Sequence, residues 1–206
     1  MTECSPVISV NSPDDIEFGS VGRPIANVEV RIDSPNDEGI GEICVRGESI
    51  TPGYRNNPEK TAELIRDGWL HTGDLGRIKD NHLWITGRAK NLIVSAAGKN
   101  IYPEEIEEAL LESTLILEAV VFGRKKEGKH GEEVCAVIVA DKDQLVAMHG
   151  VDKNNPDLDR VKESMKVVVD QTNERMAGYK RIKHFVVQFE ELKKTSTQKV
   201  KRFAYK

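Results

Sequence analysis

The spacing of apolar residues changes near residue 88, and this change constrains the fold more than any other feature of the chain. Short alternating runs such as ANVEVRI, GEICVRG and HLWIT fill residues 21–86, and clusters of Gly, Pro, Asn and Asp separate them. Alternation with a period of two predicts half-buried antiparallel strands. Beyond residue 88, strand-like runs alternate with segments of helical spacing. The sequence therefore predicts an α+β protein, with a β-rich, distorted barrel-like part followed by a small α+β domain.

Three segments favour helices. NNPEKTAELI offers Asn57 as a cap and Pro58 as the first helical residue. PEEIEEALLES opens with Pro103, and its early acids complement the helix dipole. DLDRVKESMKVVVDQTNERMA has helical apolar spacing, and we expect Gly178 to end it. Its apolar positions are Leu158, Val161, Met165, Val168, Val169, Thr172 and Met176.

The strand-like runs beyond residue 88 predict a second group of strands. NLIVSAAGKNIY favours a hairpin around Ala97 and Gly98, and the runs LEAVVFG, EEVCAVIVA and IKHFVVQF each predict a strand. QKVKRFAY predicts a short terminal helix or turn.

Composition limits the classes of function. A net charge of −4 argues against general nucleic-acid binding, although nine basic residues against two acidic ones follow from Lys180 onwards. That basic end favours a polyanionic ligand or, equally, a solvated surface. The cysteines Cys4, Cys44 and Cys135 lack metal-like spacing. Their odd count, with two of them inside apolar strand patterns, predicts reduced, buried thiols and fits a cytoplasmic protein. No apolar run approaches the roughly 18 residues that span a bilayer, so we expect at most peripheral membrane contact.

Asp74 and Arg88 are candidate nucleotide ligands. Asp74 follows Thr72 and Gly73 in a predicted tight turn, where its carboxylate can accept hydrogen bonds from a ribose diol. Arg88 follows an apolar run and offers a planar fork of donors that fits phosphate oxygens. Two structural alternatives stay open: Asp74 caps backbone amides of the turn, and Arg88 belongs to a surface ion pair.

Four motifs together resemble the adenylate-forming, or AMP-binding, superfamily. They are MTECSP at residues 1–6, GEICVRGESITPGY at residues 41–54, the segment from WLHTGD to PEEIE at residues 69–107, and KKTSTQKVKR at residues 193–202. Lys90 and the ten-residue spacing from Arg88 to Gly98 resemble the long-chain fatty acyl-CoA synthetase branch. The superfamily's phosphate loop does not occur in these residues, so the resemblance implies the carboxyl-terminal part of a longer enzyme.

The resemblance also implies two domains. Residues 1–87 would be the β-rich end of a large AMP-binding domain, and residues 88–206 would be a mobile C-terminal lid. The joint would lie near residues 88–90, with Lys90 as the hinge.

The implied reaction joins a fatty acid to ATP as an acyl-adenylate and then transfers the acyl group to the thiol of CoA. By resemblance, Lys199 is the catalytic cation of the first step, with a solvated basic tail as the alternative. Gln198 stands where the family more often has glycine, which predicts a stiffer loop.

The remaining site residues also follow from the resemblance. Thr2 would contact phosphate, and Glu3 would hold Mg²⁺, unless the terminus is frayed. Ser95, Gly98 and Lys99 would lie beside CoA, with glycine allowing close backbone approach, and a plain hairpin turn is the alternative. The basic loop residues are candidates for the CoA phosphates or a solvated loop, and they are Arg124, Lys125, Lys126 and Lys129.

The sequence thus predicts part of an acid–thiol ligase of the long-chain-fatty-acid–CoA type. Its small-molecule partners would be ATP or AMP, Mg²⁺, a fatty acid and CoA, and this portion would be inactive by itself. Two alternatives stay open. One is an adenylation domain that loads a carrier protein, and the other is a non-catalytic nucleotide-binding or scaffold module.

Overall fold

The computed structural model describes residues 1–125, 128, 130–150, 152 and 157–205. The chain forms two compact units, an N-terminal unit Met1–Lys90 and a C-terminal unit Asn91–Lys206. Antiparallel sheets and helices occur together, so the predicted α+β class is confirmed. The boundary at residue 87 and the hinge at Lys90 stay predictions.

The N-terminal unit consists mainly of strands. In chain order they are β1 Ser9–Val10, β2 Arg23–Pro24, β3 Val28–Asp33, β4 Gly41–Gly47, β5 Ile65–Arg66, β6 Trp69–Lys79 and β7 His82–Arg88, with helix α1 Pro58–Leu64 before β5. Five strands form one sheet in the order β3-β4-β6-β5, and β7 pairs with β6. All its pairings are antiparallel. Among the described residues this sheet is open and does not close into a barrel.

One face of this sheet supplies the core of the N-terminal unit. Alternate residues of β3 and β4 point to that face, where Val28, Ile43 and Val45 pack with Leu70 of β6 and Leu83 of β7. The period-two pattern in the sequence thus has its physical cause in one buried and one polar face.

The C-terminal unit surrounds a three-stranded sheet. Its elements are β8 Ile93–Val94, β9 Asn100–Ile101, α2 Pro103–Leu111, β10 Ile116–Lys125, β11 Glu132–Ala140, α3 Lys142–His149, α4 Leu158–Arg175 and β12 His184–Gln188. The sheet order is β10-β11-β12, with β10 antiparallel and β12 parallel to β11. β8 and β9 form the predicted hairpin.

Both faces of this sheet are covered. Val121 and Ile138 face the helices and pack in one cluster with Ile106 and Leu110 of α2 and Met165 of α4. The opposite face packs against the carboxyl-terminal segment in a second cluster, whose members include Val120, Phe122, Cys135, Val137, Val139 and Leu192. The segment that carries Lys199 is therefore held against the sheet by apolar contacts.

Most predicted helices and strands are present, and the exceptions have local causes. Helix α4 ends at Arg175, so the prediction that Gly178 ends it is wrong, because Gly178 begins a separate 3₁₀ turn, Gly178–Lys180. Leu158 is the first residue of α4 and is 69% exposed, so it lies outside the buried stripe.

Helix α3 was not among the predicted helices. Its signals are an Asp141 side chain that caps the first turn and Gly150 at a φ of 59° just past the end. All three cysteines are buried and free, as the sequence predicts. Within the described ranges, no helix is long and apolar enough to cross a membrane.

Adjacent leucines on α2 test the core of the C-terminal unit. Leu110 is fully buried, whereas Leu111 is 46% exposed. We expect Leu110→Ala to lower the free energy of unfolding by about 2–5 kcal/mol, because it removes buried methyl groups and leaves a cavity. Leu111→Ala, the matched control, should change it by less than about 0.5 kcal/mol. Urea denaturation of both variants measures the difference, and equal losses would contradict the packing described.

Candidate functional site

Asp74 lies in a bulge of strand β6. Glu42 and Cys44 of β4 pair with Leu75 and His71 of β6, so three residues of β6 stand opposite the single residue between the partners on β4. The middle residue of the three, Gly73, has a φ of 70° in the left-handed region. The predicted tight turn is therefore wrong, since these residues are an irregularity within an eleven-residue strand. A bulge re-aims side chains, and this one presents Asp74 at its end.

Glu42 holds the bulge with both oxygens of its carboxylate. Its Oε1 accepts a hydrogen bond from the backbone N–H of Gly73 at 3.0 Å. Its Oε2 lies 2.8 Å from Nδ1 of His71, whose side chain is only 9% exposed. A backbone N–H that the bulge removes from the ladder thus regains an acceptor. We call Glu42, His71 and Gly73 the bulge clamp.

Thr72 adds a second connection across the same strands. Its buried hydroxyl donates to the carbonyl of Ile43 at 2.7 Å and accepts from the backbone N–H of Asp74 at 3.0 Å. Together with the bulge clamp, this hydroxyl fixes the backbone on both sides of Gly73.

Cys44 completes a small cluster with two residues of the bulge clamp. Its Sγ lies 3.4 Å from Nδ1 of His71, and the ligand atoms of Glu42, Cys44 and His71 all lie within 4.8 Å of one another. Burial, aided by the nearby Glu42 carboxylate, raises the pKa of the Cys44 thiol to about 11. The thiol is therefore protonated near neutral pH, and the imidazole and carboxylate are engaged with each other. The cluster fits a hydrogen-bonded support better than a metal centre.

The sequence did not identify the bulge clamp. The spacing of the histidines along the chain indicates no role for His71, because its partner Glu42 is 29 residues away on the neighbouring strand. The detectable signal was the acidic Glu42 at the start of an apolar strand, opposite the HTGD motif.

Asp74 and Arg88 are partners across β6 and β7. Nη1 of Arg88 lies 2.8 Å from Oδ1 of Asp74, and their side chains are 40% and 25% exposed. The ion-pair alternative for Arg88 is thus present in the structure. Such a pair contributes little to stability when it is this accessible. A carboxylate also has about four lone-pair sites, so Asp74 can accept further hydrogen bonds from a ligand.

The amino-terminal residues form an ordered turn. Thr2–Cys4 make one turn of 3₁₀ helix, and the carbonyl of Glu3 accepts from the N–H of Thr51 at 2.8 Å. The Tyr54 hydroxyl donates to Oε1 of Glu3 at 2.8 Å. A backbone hydrogen bond and this hydroxyl lower the pKa of Glu3, which is therefore ionised at neutral pH. Glu3 is held in place rather than frayed, and the Thr2 side chain is exposed.

Lys199 lies in a tight hairpin of the C-terminal unit. Lys194 and Val200 form its β-bridge, and the N–H of Thr195 donates to the carbonyl of Lys199 at 2.8 Å. The hydroxyl of Thr195 accepts the N–H of Lys199 at 3.1 Å. Gln198 has a φ of 61°, a left-handed conformation that explains why glycine suits this position. The Lys199 side chain is exposed while its backbone is fixed.

An ion pair holds the first strand of this hairpin. Nζ of Lys194 pairs with Oε1 of Glu118 on β10, and this contact raises the pKa of Lys194. The other oxygen of Glu118 accepts the N–H of Leu192 at 2.9 Å.

The loop between β8 and β9 is a hydrogen-bonded turn. Ser95 is 8% exposed, its N–H donates to the Lys99 carbonyl, and its hydroxyl accepts the Lys99 N–H, both at 3.0 Å. Gly98 has a φ of 70°, but a Cβ there would meet no atom within 4 Å. Within this structure, backbone conformation rather than crowding requires the glycine. The plain-turn alternative is thus present, and CoA contact stays a prediction.

The other predicted basic residues are distributed as follows. Lys90 is exposed in a 3₁₀ turn, Ala89–Asn91, and Arg124 and Lys125 are exposed at the end of β10. Lys126 and Lys129 lie outside the described residues. Within the units, the structure brings Asp74 together with Arg88, and Ser95 together with Gly98 and Lys99.

The bulge clamp can be tested by a change of one atom. Glu42→Gln keeps the size of the side chain but replaces one carboxylate oxygen by an NH₂ group. That group cannot accept the hydrogen bond of Gly73 or of His71, whichever it faces. We expect a loss of about 1–3 kcal/mol in the free energy of unfolding, as for unsatisfied buried polar groups. The control is Glu29→Gln, which affects a Glu29–Arg46 pair with side chains 61% and 48% exposed. Its loss should stay below about 1 kcal/mol. Equal urea midpoints for the two variants would exclude the clamp.

The Cys44 thiol predicts a pH dependence. Its pKa of about 11 in the folded chain lies above the usual value of 9.0. The folded state therefore binds this proton more tightly, and its contribution is complete below pH 9 and lost as the pH rises through 11. We expect the free energy of unfolding to fall by roughly 2 kcal/mol more in the natural chain than in Cys44→Ala over this range. Parallel pH profiles from urea titrations would contradict the burial of the thiol.

Two family models match the chain. The first, described as AMP-binding enzyme, matches residues 1–55, and the second, AMP-binding enzyme C-terminal domain, matches residues 105–199. A long-chain-fatty-acid–CoA ligase of Salmonella typhimurium is 37% identical over 147 residues, which is 68% of this chain and 26% of that protein. The long-chain-fatty-acid–CoA ligase ACSBG2 of Gallus gallus is 44% identical over 128 residues, which is 61% of this chain and 17% of that protein. The chain thus spans 26% and 17% of the length of these two relatives.

Solved structures extend the likeness to the whole chain. The o-succinylbenzoate CoA synthetase of Bacillus subtilis, in complex with an acyl-adenylate, has a TM-score of 0.81 at 29% identity over 100% of this chain and 40% of that protein. A further structure of that enzyme holds ATP and a magnesium ion, with a TM-score of 0.76 at 28% identity over 98% of this chain and 39% of the other. The anthranilate CoA ligase AuaEII, with anthranoyl-AMP, has a TM-score of 0.78 at 27% identity over 100% of this chain and 37% of that one.

Both family models describe one enzyme family, and together they match both units of the structure. The sequence relatives and the solved structures agree with them. The chain therefore belongs to the AMP-binding, or adenylate-forming, enzyme family, and its relatives include long-chain-fatty-acid–CoA ligases.

Proposed function

We propose that this chain forms the carboxyl-terminal part of an ATP-dependent long-chain-fatty-acid–CoA ligase. The observation that carries the proposal is the Asp74–Arg88 pair, presented at 2.8 Å by a clamped strand bulge. This pair occurs in a chain that is 37% identical to one long-chain-fatty-acid–CoA ligase and 44% identical to another over the matched residues. The ligase would activate a fatty acid as acyl-adenylate and then form the thioester with CoA.

The nucleotide would bind at the bulge of β6. The Asp74 carboxylate would accept the ribose hydroxyls, and Arg88 would hold the carboxylate in place or reach phosphate oxygens. The hydroxyl of Thr2 would contact phosphate. The bulge clamp supports this proposal, because a rigid backbone keeps the carboxylate aimed without further ordering on binding.

Glu3 fits a magnesium ligand. Its carboxylate is ionised, and the Tyr54 hydroxyl holds its Oε1. Mg²⁺ in nucleotide sites takes one or two carboxylates along with phosphate oxygens and water. The ion would neutralise phosphate charge, and Glu3 would orient it from the ordered turn.

The first step brings two anions together, the fatty carboxylate and the α-phosphate. Lys199 would neutralise the charge that accumulates as the new oxygen–phosphorus bond forms and pyrophosphate leaves. Its compact ammonium on a flexible stem suits contact with both groups. The fixed backbone of the hairpin supports this role, because only the side chain remains to be ordered.

The second step would use a different arrangement of the C-terminal unit. Rotation at Lys90 would bring the turn Ser95 to Lys99 towards the nucleotide, where CoA would pass beside Gly98. The division of the chain after Lys90 supports a hinge at this place. The names of the relatives favour free CoA over a carrier protein as the acceptor.

A chimera tests the activity. This chain would replace the matching region of the Salmonella typhimurium ligase, and palmitate-dependent ATP–pyrophosphate exchange and palmitoyl-CoA formation would be measured. We expect both activities in the chimera. Lys199→Ala should lower pyrophosphate exchange by about 10²–10³-fold, because it removes a charge that stabilises the transition state. It should leave CoA transfer from supplied palmitoyl-AMP within about threefold.

Lys201→Ala is the matched control, since this lysine lies two residues further on the same segment. Its exchange rate should stay within a factor of about three. Exchange that survives Lys199→Ala would remove Lys199 from the first step. Transfer to a carrier thiol but not to CoA would select the carrier-loading alternative. A folded chimera without exchange, beside an active parent, would favour the non-catalytic alternative.

The nucleotide site can be tested in this chain alone. We expect calorimetry to detect AMP binding, weakened about tenfold or more by Asp74→Ala, because a charged hydrogen bond contributes about 1.5–3 kcal/mol. The control Glu29→Ala changes a carboxylate at the other end of β3 from the residue that pairs with Glu42, and its ion pair with Arg46 is exposed. Equal AMP affinity for the chain and Asp74→Ala would reject the ribose role of this residue.

A further inference from the structure

Arg202 lies three residues after Lys199 and connects the Lys199 hairpin to helix α2. Its two terminal nitrogens pair with the two carboxylate oxygens of Glu107, Nη2 with Oε2 at 2.6 Å and Nη1 with Oε1. Nη1 also donates to the carbonyl of Val121 on β10 at 2.7 Å. The Arg202 and Glu107 side chains are only 16% and 15% exposed. A bidentate, largely buried pair of this kind fixes direction as well as distance.

Both carboxylate oxygens of Glu107 take part in this contact. Its Oε1 accepts the backbone N–H of Val121 at 2.6 Å as well as Nη1 of Arg202. Burial raises the pKa of Glu107, and the hydrogen bonds from Arg202 oppose that rise. The carboxylate and the guanidinium therefore depend on each other, since either one alone would be a buried, unpaired charge.

Glu104 extends the contact to the first residue of the C-terminal unit. It lies one helical turn before Glu107 on the same face of α2. Its Oε1 accepts from Nη2 of Arg202 at 3.3 Å and from Nδ2 of Asn91 at 2.8 Å. Asn91 directly follows Lys90, where the chain divides. One carboxylate oxygen is thus shared between the Lys199 side and the boundary side.

We propose that Glu104 and Glu107 are positioning residues that join the Lys199 hairpin to Asn91 through Arg202. The proposal rests on the function proposed above, in which Lys199 acts in one arrangement and the C-terminal unit rotates at Lys90. Asn91 contacts Glu104, and Glu104 contacts Arg202, which lies three residues after Lys199. These contacts make the hairpin move with the boundary segment as one rigid body. A rotation at the boundary then carries Lys199 without a change in its local geometry.

The chain itself tests this connection through amide hydrogen exchange by NMR. The reporters are the hydrogen-bonded amides of Thr195, Gln198, Lys199 and Lys201 in the hairpin. Arg202→Met should accelerate their exchange by roughly tenfold or more, because the anchor of the hairpin is lost. Asn91→Ala should accelerate the same amides by a smaller factor, about threefold, because Asn91 acts on the hairpin through Glu104.

The side-chain amide of Asn91 gives the reciprocal measurement. Its NMR signal should shift in Arg202→Met, because Glu104 loses its second donor. Arg175→Met is the matched control, since its pair with Glu112, the residue just after α2, is exposed, with side chains 55% and 60% accessible. It should change neither the hairpin amides nor the Asn91 signal.

The outcomes separate the connection from simple anchoring. Unchanged hairpin amides in Asn91→Ala, or an unchanged Asn91 signal in Arg202→Met, would overturn the proposal. If Arg202→Met also accelerates the exchange of the β11 amides, the whole C-terminal unit has been destabilised. The connection is then tested with Arg202→Lys. Lysine keeps the charge but not the fork, so it should still accelerate the hairpin amides and shift Asn91.

An active chimera supplies the catalytic measurement. There, Asn91→Ala should lower kcat for pyrophosphate exchange about threefold and leave KM for ATP unchanged, because nucleotide contacts are intact. An increase in KM alone would assign Asn91 to binding and contradict the positioning role. A chimera without exchange would remove the proposed function, while the amide exchange of the chain alone would still decide whether the connection exists.

Discussion

The arrangement of the N-terminal unit depends on the hydrogen bonds that the Glu42 carboxylate makes across β4 and β6. A bulge takes backbone donors out of the ladder, and each buried donor needs a new acceptor. Glu42 supplies one to Gly73 and holds His71 with its second oxygen. Without this support, a three-residue irregularity in the middle of a sheet would cost free energy. With it, the irregularity becomes a rigid platform whose last residue is Asp74.

The same physical device occurs in the C-terminal unit in a different form. There the Lys199 hairpin is short and could not hold its own shape, since an isolated two-stranded hairpin is at best marginally stable. Glu118 holds its first strand through Lys194, and Glu107 holds its end through Arg202. In both units a partly buried carboxylate fixes backbone that presents a charged, accessible side chain. The exposed Lys199 side chain can meet a ligand because neighbouring charges hold the backbone of its hairpin.

Local rules predicted most of the fold and the residues of the site, but not their supports. The capped start of α1 followed from Asn57 and Pro58, and the side chain of Asn57 does accept the N–H of Lys60. HTGD was misread as a turn because a glycine in the left-handed region serves a bulge and a turn equally well. Glu42 and Glu107 were missed because their side-chain partners, His71 and Arg202, are 29 and 95 residues away, and no local pattern records such pairings.

The exposure of the Lys199 side chain on a fixed backbone has an energetic reason. Ordering a lysine side chain on binding costs up to about 2 kcal/mol, and ordering the backbone of several residues would cost about 1–2 kcal/mol for each. In the Lys199 hairpin the backbone is already fixed by hydrogen bonds at Thr195 and by the left-handed Gln198. Only the side-chain cost would remain when a ligand binds. The residue at position 198 therefore affects how much of the ordering is complete beforehand, since a glycine there would adopt the left-handed conformation without strain but would leave the unliganded hairpin more freedom.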